Sequence, residues 1–500
     1  MAAAISERAP RVERSRYDGF DKMFIEGRWR HGSGDGFSED KDPYTNDVLA
    51  RIPLASAGDL DKAYRAAAAA QPRWAATLPE ERAAVLRRAA GIMEARREEI
   101  VDWLVHESGS TRSKAQVEWE YAHGVTLEAS TFPSRASGSI VPTNIPGKES
   151  RVYRHPVGVV GMISPWNFPT HLSSRSIAPA MALGNAVVLK PASDTPVTGG
   201  LLLAKIYEEA GLPPGVLNVI VARGSALGDA FVLHPVPRVI SFTGSTAVGK
   251  HIAELAAKGD LLKRVALELG GNSPTVILDD ADLDLAVRIA VFGKFLHQGQ
   301  ICMAINRLIV DAKVHDEFVE RFTKYVARLK VGNPNDTDTV IGPVVNQQQL
   351  ATHLEHVRRA VTQGARQLLG GEPRGLVFPP HVFVGVSNQM SIAREELFGP
   401  IAPIIEVHGE SEALEVANDT EYGLSAAVVT RDVERGNRFA QRIQAGMTHV
   451  NDSPVNDVAT CPFGGEKNSG IGRYNGEWII EELTTVQWIS IQHQPLAYPF

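Results

Sequence analysis

Five clusters in this chain have residue types and spacing that can do chemistry. Cys302, one of two cysteines, stands in FLHQGQICMAINR (295–307), one residue beyond Gly299-Gln300. A helical pattern (283–296) precedes it and a strand-like apolar run (307–310) follows, so its thiol can face a cleft. A thiol there is a candidate nucleophile; a free cysteine is equally a small hydrophobe chosen for packing. Asn167 closes the apolar run before it in ISPWNFP (163–169). Its side-chain amide can donate to a developing oxyanion, or it can simply close a turn before Pro169. Glu268 ends another run in LELGGNSP (267–274), where a carboxylate can act as a general base and two glycines leave room for close approach. Lys190 ends the run before Pro191 and can hold ribose hydroxyls or phosphates. FTGSTAVGK (242–250) is a strand end, a glycine turn and a helix start, an arrangement whose free N–H groups suit a pyrophosphate.

Two familiar nucleotide motifs are excluded. FTGSTAVGK nearly fits the phosphate loop GxxxxGK[ST], but His251 stands where the magnesium-binding hydroxyl is required. No GxGxxG fingerprint accompanies it, so this is not an ordinary Rossmann cofactor turn. Two more loops, REELFGP (394–400) and PFGGEKNSGIGR (462–473), have the glycine content of functional loops on a rigid scaffold. Cys461, beside the second, reads as structural or incidental.

These residues need elements to position them. Residues 157–267 alternate short apolar runs (VGVVGMI, AVVLK, VLNVI, RVISF, KRVAL) with helical stretches, the pattern of βαβ units on a parallel sheet. A second alternation starts after Gly271 and continues to about residue 450. Upstream, strand-like segments at 23–29 and 48–52 precede helices from about Asp59, Pro79 and Lys114. The first twenty residues are charged, aperiodic and expected to fray. Residues 132–148, broken by Pro133, Pro142 and Pro146, form an arm or linker. The isolated run VQWISI (486–491) is expected to pair with the 139–153 segment or with another subunit. The fold class is therefore α/β, with two parallel-sheet domains and a small β arm.

Composition limits the rest. Five hundred residues exceed one ordinary core. A net charge of −7 gives no reason to bind nucleic acid or an anionic membrane. Two cysteines cannot make a disulfide framework, no secretory signal opens the chain, and no run of eighteen apolar residues occurs, so a cytoplasmic protein is expected. No Cys/His cluster suggests a metal.

Taken together, ISPWNFP, LKPAS-TP, FTGST-VG, LELGG, GQxC, EELFGP and PFGGxKxSGxGR, in that order and over nearly the whole chain, resemble the aldehyde dehydrogenase superfamily. The resemblance implies a cofactor domain (20–132 and 152–267), a catalytic domain (268–482) and an oligomerisation arm (133–151 and 483–500). It implies Cys302 as nucleophile, Glu268 as general base, and an oxyanion hole from Asn167 and the Cys302 N–H. NAD or NADP would meet Ile163, Ser164, Pro165, Trp166, Lys190, Ser193, Gly224, Gly244, Ser245, Val248, Leu269, Glu396 and Phe398, and no metal would take part. Attack by the thiolate, hydride loss to leave a thioester, and hydrolysis by water activated at Glu268 would convert an aldehyde to its acid. A CoA-acylating relative would pass the acyl group to CoA, which a hydrolytic base at Glu268 opposes. A non-catalytic use of the fold is opposed by the filled catalytic positions.

NFPTHLSSRSIAP and HQGQICMAINR look most like the benzaldehyde and vanillin dehydrogenase branch. Phe168, Leu172, Ile301, Met303 and Phe463 flank the reacting centre as an apolar slot. Arg175 stands where many members carry a tunnel aromatic. Ser193 replaces the glutamate that NAD-restricted members carry three residues after the lysine of the KP motif, so both cofactors are expected to work. The arm implies a homodimer or homotetramer.

Overall fold

The computed structural model describes residues 16–500. Most of the expected fraying segment lies outside these residues, but its end is ordered: Phe20 is buried, and the N–H of Tyr17 donates to Glu99 at 2.6 Å. Fraying was the wrong expectation for 16–20. Isolated aromatics in a charged stretch are enough to dock it.

The first sheet has eight strands, in the order Gly470–Ile471, Arg264–Glu268, Val239–Thr243, Val159–Ile163, Ala186–Lys190, Leu217–Val219, Met23–Ile25, Arg28–Arg30. Its five central strands are parallel, and the flanking pairings are antiparallel. From Val159–Ile163 the chain winds one way through Ala186–Lys190 to Leu217–Val219. From the adjacent Val239–Thr243 it winds the other way to Arg264–Glu268. The reversal opens a crevice at the carboxyl ends of these strands, where open α/β sheets bind ligands. ISPWNFP, FTGST and LELGG all leave strands at that end.

The second sheet has seven strands, in the order Arg366–Leu369, His381–Val384, Ile401–Val407, Ile305–Asp311, Ser273–Ile277, Ser425–Val429, Met447–Val450. Only the first is antiparallel to its neighbour. Ile305–Asp311 and Ser273–Ile277 are buried along their whole length, as strands covered on both faces must be. Separate apolar clusters cover its two faces, while a large cluster fills most of the first sheet and its helices and a smaller one lies between strands Val239–Thr243 and Arg264–Glu268 and helix Thr246–Lys258.

The arm is a three-stranded sheet in which Lys148–Pro156 lies between Ser139–Val141 and Thr484–Gln492, all antiparallel. The late VQWISI run thus finds the expected partner within its own chain. A further long-range pairing is one the sequence did not signal: Gly470–Ile471 lies against Leu267–Glu268 at the edge of the first sheet. Two residues are too short a run to show periodicity. Among the described residues no helix is long and apolar enough to cross a membrane, and no group of three or more His, Cys, Asp or Glu is placed to hold a metal ion.

Candidate active site

Cys302 is presented by a turn whose backbone is unusual. Helix Leu283–Phe295 ends, and His297, Gln298 and Gly299 follow with φ of 50°, 57° and 76°. Consecutive left-handed residues are costly for any side chain with a Cβ, so something must hold them. The Gln298 side chain donates to the carbonyls of Gly109 (3.0 Å) and Pro343 (2.7 Å). Gln300 accepts the Val345 N–H at 3.0 Å. These buried amides explain why the segment reads HQGQ before its cysteine. The chain then enters strand Ile305–Asp311, leaving Cys302 at the junction.

The glycines of LELGG make room for what faces them. A Cβ on Gly271 would lie 2.1 Å from the Cys302 carbonyl, and one on Gly270 would lie 2.6 Å from Glu396 Oε2. Backbone and carboxylate approach only because both side chains are absent. The N–H of Gly271 donates to Glu396 Oε1 at 2.9 Å. The late loop completes the setting: Ser469 Oγ donates to the Gly270 carbonyl at 2.7 Å, and the N–H of Leu269 donates to the Ser469 carbonyl.

Cys302, Asn167 and Leu172 border two spaces at once. On one side is an open cleft whose wall includes Pro165, Trp166, Gly244, Ser245, Glu268, Leu269, Glu396 and Phe398. On the other is a narrower, tightly walled chamber. All six residues expected in the substrate slot line that chamber: Phe168, Leu172, Arg175, Ile301, Met303 and Phe463. The thiol therefore sits at a waist between the two.

The remaining expected cofactor residues lie away from this cleft wall. Lys190 is 5% exposed, and its ammonium donates to the Pro191 carbonyl at 3.3 Å. Ser164 is buried, its hydroxyl accepting from Ser173, and Ile163 is half-buried at the strand end. Ser193 borders a separate depression with Asp194 and Asn346. Gly224 and Val248 are exposed on the first turns of helices Gly224–Leu233 and Thr246–Lys258.

The electrostatics follow from burial. Glu268 and Arg175 are fully buried and paired at 3.2 Å; a second arm of Arg175 reaches Asp457 at 3.3 Å. Burial pushes the Glu268 carboxyl above its usual range, and the Arg175 guanidinium pulls it partly back. Burial, then the neighbouring Glu268 charge, pushes the Cys302 thiol well above its ordinary value, so the resting group is a thiol. Burial raises Glu396 to about 7 and lowers Lys190 to about 8. Arg175 also lies against the rings of Phe463 (4.1 Å) and Tyr474 (4.9 Å).

Sequence reasoning missed the polar end of the chamber. Asp457 accepts from His171 at 2.7 Å and from Asn475 at 2.6 Å, and Tyr121 stands beside His171. A lone aspartate in VND and a histidine in a helix carry no local signal. The one available clue was Arg175, a charge in an apolar helix that needs a buried counter-ion.

The cleft suits a dinucleotide. Helix Thr246–Lys258 opens on Ser245 with no side-chain cap, so its first N–H groups are free for a phosphate. Glu396 offers a half-buried acceptor, and Trp166 and Phe398 meet edge to face at 5.3 Å with Phe398 held at φ +46°. A half-buried thiol and a buried carboxylate beside such a crevice mark a dinucleotide-dependent oxidoreductase. The sequence model of the aldehyde dehydrogenase family matches residues 29–489, and the chain belongs to that family. It is 53% identical to a vanillin dehydrogenase of Corynebacterium glutamicum, covering 94% of this chain and 97% of the relative. A benzaldehyde dehydrogenase of Bacillus subtilis is 48% identical, covering 97% and 99%. The crystal structure of an NAD-dependent benzaldehyde dehydrogenase from Corynebacterium glutamicum superposes with a TM-score of 0.88 at 50% identity, covering 95% and 97%. The chain is an NAD(P)-dependent aldehyde dehydrogenase, converting an aldehyde to its carboxylate.

Proposed function

We propose that the enzyme oxidises aromatic and conjugated aldehydes through a thioester on Cys302. The observation that carries this reading is the waist: one thiol borders both the cleft beneath the helix start at Ser245 and a narrow chamber walled by Phe168, Leu172, Ile301, Met303 and Phe463. The names of its vanillin and benzaldehyde dehydrogenase relatives support it. A flat ring entering the chamber hides both faces. If it buries ~100 Å² more than a methyl group, it gains about 2.5 kcal/mol, near 70-fold in kcat/KM. Benzaldehyde should exceed acetaldehyde by that order; equal values, or the reverse, would sink the proposal.

In this reading Glu268 first takes the Cys302 proton, since both groups are pushed up by the same burial and the transfer creates no new net charge. The sulfur adds to the carbonyl carbon. Of the two hydrogens on Asn167 Nδ2, one is committed to the Gln300 carbonyl at 3.0 Å and the other can meet the oxyanion, together with the Cys302 N–H. Bound NAD or NADP supplies the hydride acceptor. Loss of hydride leaves an acyl group on Cys302. Glu268 must then give up the thiol proton to solvent; as a carboxylate again it takes a proton from water, whose oxygen adds to the thioester and expels the Cys302 sulfur as the acid is released.

Lys190 and Glu396 would hold ribose hydroxyls, Gly244 and Ser245 the pyrophosphate, and Phe398 the nicotinamide ribose. Ile163, Ser164, Ser193, Gly224 and Val248 would extend the contact toward the adenosine. A serine at 193 leaves the 2′-phosphate of NADP unopposed by a carboxylate, so both cofactors should work. Ser193→Glu should cost NADP far more than NAD. The chain would divide into a cofactor unit (20–132, 152–267), a catalytic unit (268–482) and an arm (133–151, 483–500), with Gly470–Ile471 of the catalytic unit crossing over to edge the first sheet. The arm would join protomers into a dimer or tetramer. Two free cysteines suit a reducing compartment such as the cytoplasm.

A further inference from the structure

One buried ion pair lies outside the catalytic constellation and is aimed at it. Lys114 and Glu118, one turn apart on helix Arg112–Ala129, are both fully buried and paired at 2.5 Å. The Lys114 ammonium also donates to Ser110 Oγ at 3.0 Å and to the Asn167 carbonyl at 2.6 Å, which uses all three of its hydrogens. It lies 4.1 Å from the centre of the Phe168 ring. The other Glu118 oxygen accepts the N–H groups of Thr170 (2.8 Å) and His171 (3.3 Å). Those are first-turn donors of helix Pro169–Ala182, whose own N-cap, Phe168, has no side chain able to satisfy them.

A purely structural role does not account for this choice. Two buried charges cost several kcal/mol each to desolvate, and a well-packed apolar pair often holds helices together as well or better. What an apolar pair cannot do is grip a carbonyl. Asn167 is fixed at both ends, its backbone oxygen by Lys114 and its side-chain amide by the Gln300 carbonyl. With both fixed, its second N–H has one direction.

We propose that Lys114 is a positioning residue for the reaction: with Glu118 it sets the backbone from Asn167 to His171, so that the Asn167 amide meets the oxyanion formed on Cys302. This rests on the reading of Asn167 as oxyanion donor. The test compares Lys114→Met/Glu118→Gln, Asn167→Ala and the triple variant. The paired substitution is needed because Lys114→Met alone strands a carboxylate in the core. For each, the burst rate of reduced cofactor, the isotope effect with aldehyde deuterated at the carbonyl carbon, KM, cofactor Kd and Tm are measured. The expected result is a burst slowed about 10- to 100-fold, the scale of an ångström of misplacement. The isotope effect should change, while KM and cofactor Kd stay within about threefold. In the Asn167→Ala background the paired substitution should cost less than about threefold, because its target is gone.

An unchanged burst in the double variant, or losses that multiply in the triple, would overturn the role of Lys114 while leaving Asn167 its own. A full-rate burst in Asn167→Ala alone would overturn the oxyanion reading, and the positioning role with it. If the double variant fails to fold, Glu118→Gln alone keeps an acceptor for Thr170 while loosening Lys114. It should show a smaller loss with the same non-additivity; additive behaviour there overturns the proposal equally.

Discussion

At the scale of single residues, Cys302 and Glu268 divide the reaction, and their substitution should divide the kinetics. Cys302→Ala removes the nucleophile, and no turnover should remain. Glu268→Gln should leave a burst of reduced cofactor, slowed because the thiol loses its proton acceptor, followed by steady turnover reduced on the order of a hundredfold or more. Steady-state activity at the wild-type level with no burst would remove Glu268 from deacylation. Glu396 and Lys190 predict a pH dependence in cofactor binding. With Glu396 near 7, a carboxylate able to accept from ribose hydroxyls is lost as pH falls through that value. With Lys190 near 8, its positive charge is lost as pH rises through that value. The kcat/KM for cofactor should therefore form a bell with limbs near 7 and 8. Glu396→Gln should erase the acid limb and Lys190→Met the alkaline one; limbs that survive both would place the titrations elsewhere.

At the scale of elements, the site depends on close backbone approach between segments distant in sequence. Gly271→Ala would drive a Cβ to 2.1 Å from the Cys302 carbonyl, so one chain must move. Its activity should fall by about a hundredfold with circular dichroism unchanged, since ångström displacements of a reacting group cost that much. Wild-type activity would mean the turn at 297–302 yields more easily than its pinned amides suggest. This dependence also marks what the sequence made legible. The strands after 157, the thiol junction and the slot residues were readable because each has a local pattern: alternating apolar runs, a helix-to-strand change, side chains next to a motif. Helix Arg97–Ser108 and strand Phe37–Lys41 were not read, because one mixes charges across its faces and the other alternates only over FSEDK. Asp457, Lys114 and Glu118 stayed invisible for a deeper reason. A buried charge looks like a surface charge until its partner, tens or hundreds of residues away, is in place.

At the scale of the whole molecule, the arm leaves apolar side chains uncovered. Ile140, Val486 and Trp488 are 76%, 58% and 65% exposed on one small sheet. A single chain rarely keeps such a patch bare, and a two-fold partner would cover it. Light scattering should show no active monomer at micromolar concentration, and Trp488→Glu should shift the population toward smaller species. An active wild-type monomer would rule out self-association through the arm.

The pairing of Gly470–Ile471 with Leu267–Glu268 has a consequence in time. During synthesis the first sheet emerges long before its edge strand does. At about 5–20 residues per second, roughly 10 to 40 seconds pass between the two. Through that interval the strand carrying Glu268 is an open edge beside a half-built crevice, and strand Lys148–Pro156 waits longer still for Thr484–Gln492. Catalytic competence therefore cannot arrive before the 462–473 loop docks. A nascent chain stalled before that point would be a sheet with a sticky margin, the kind of species that chaperones hold.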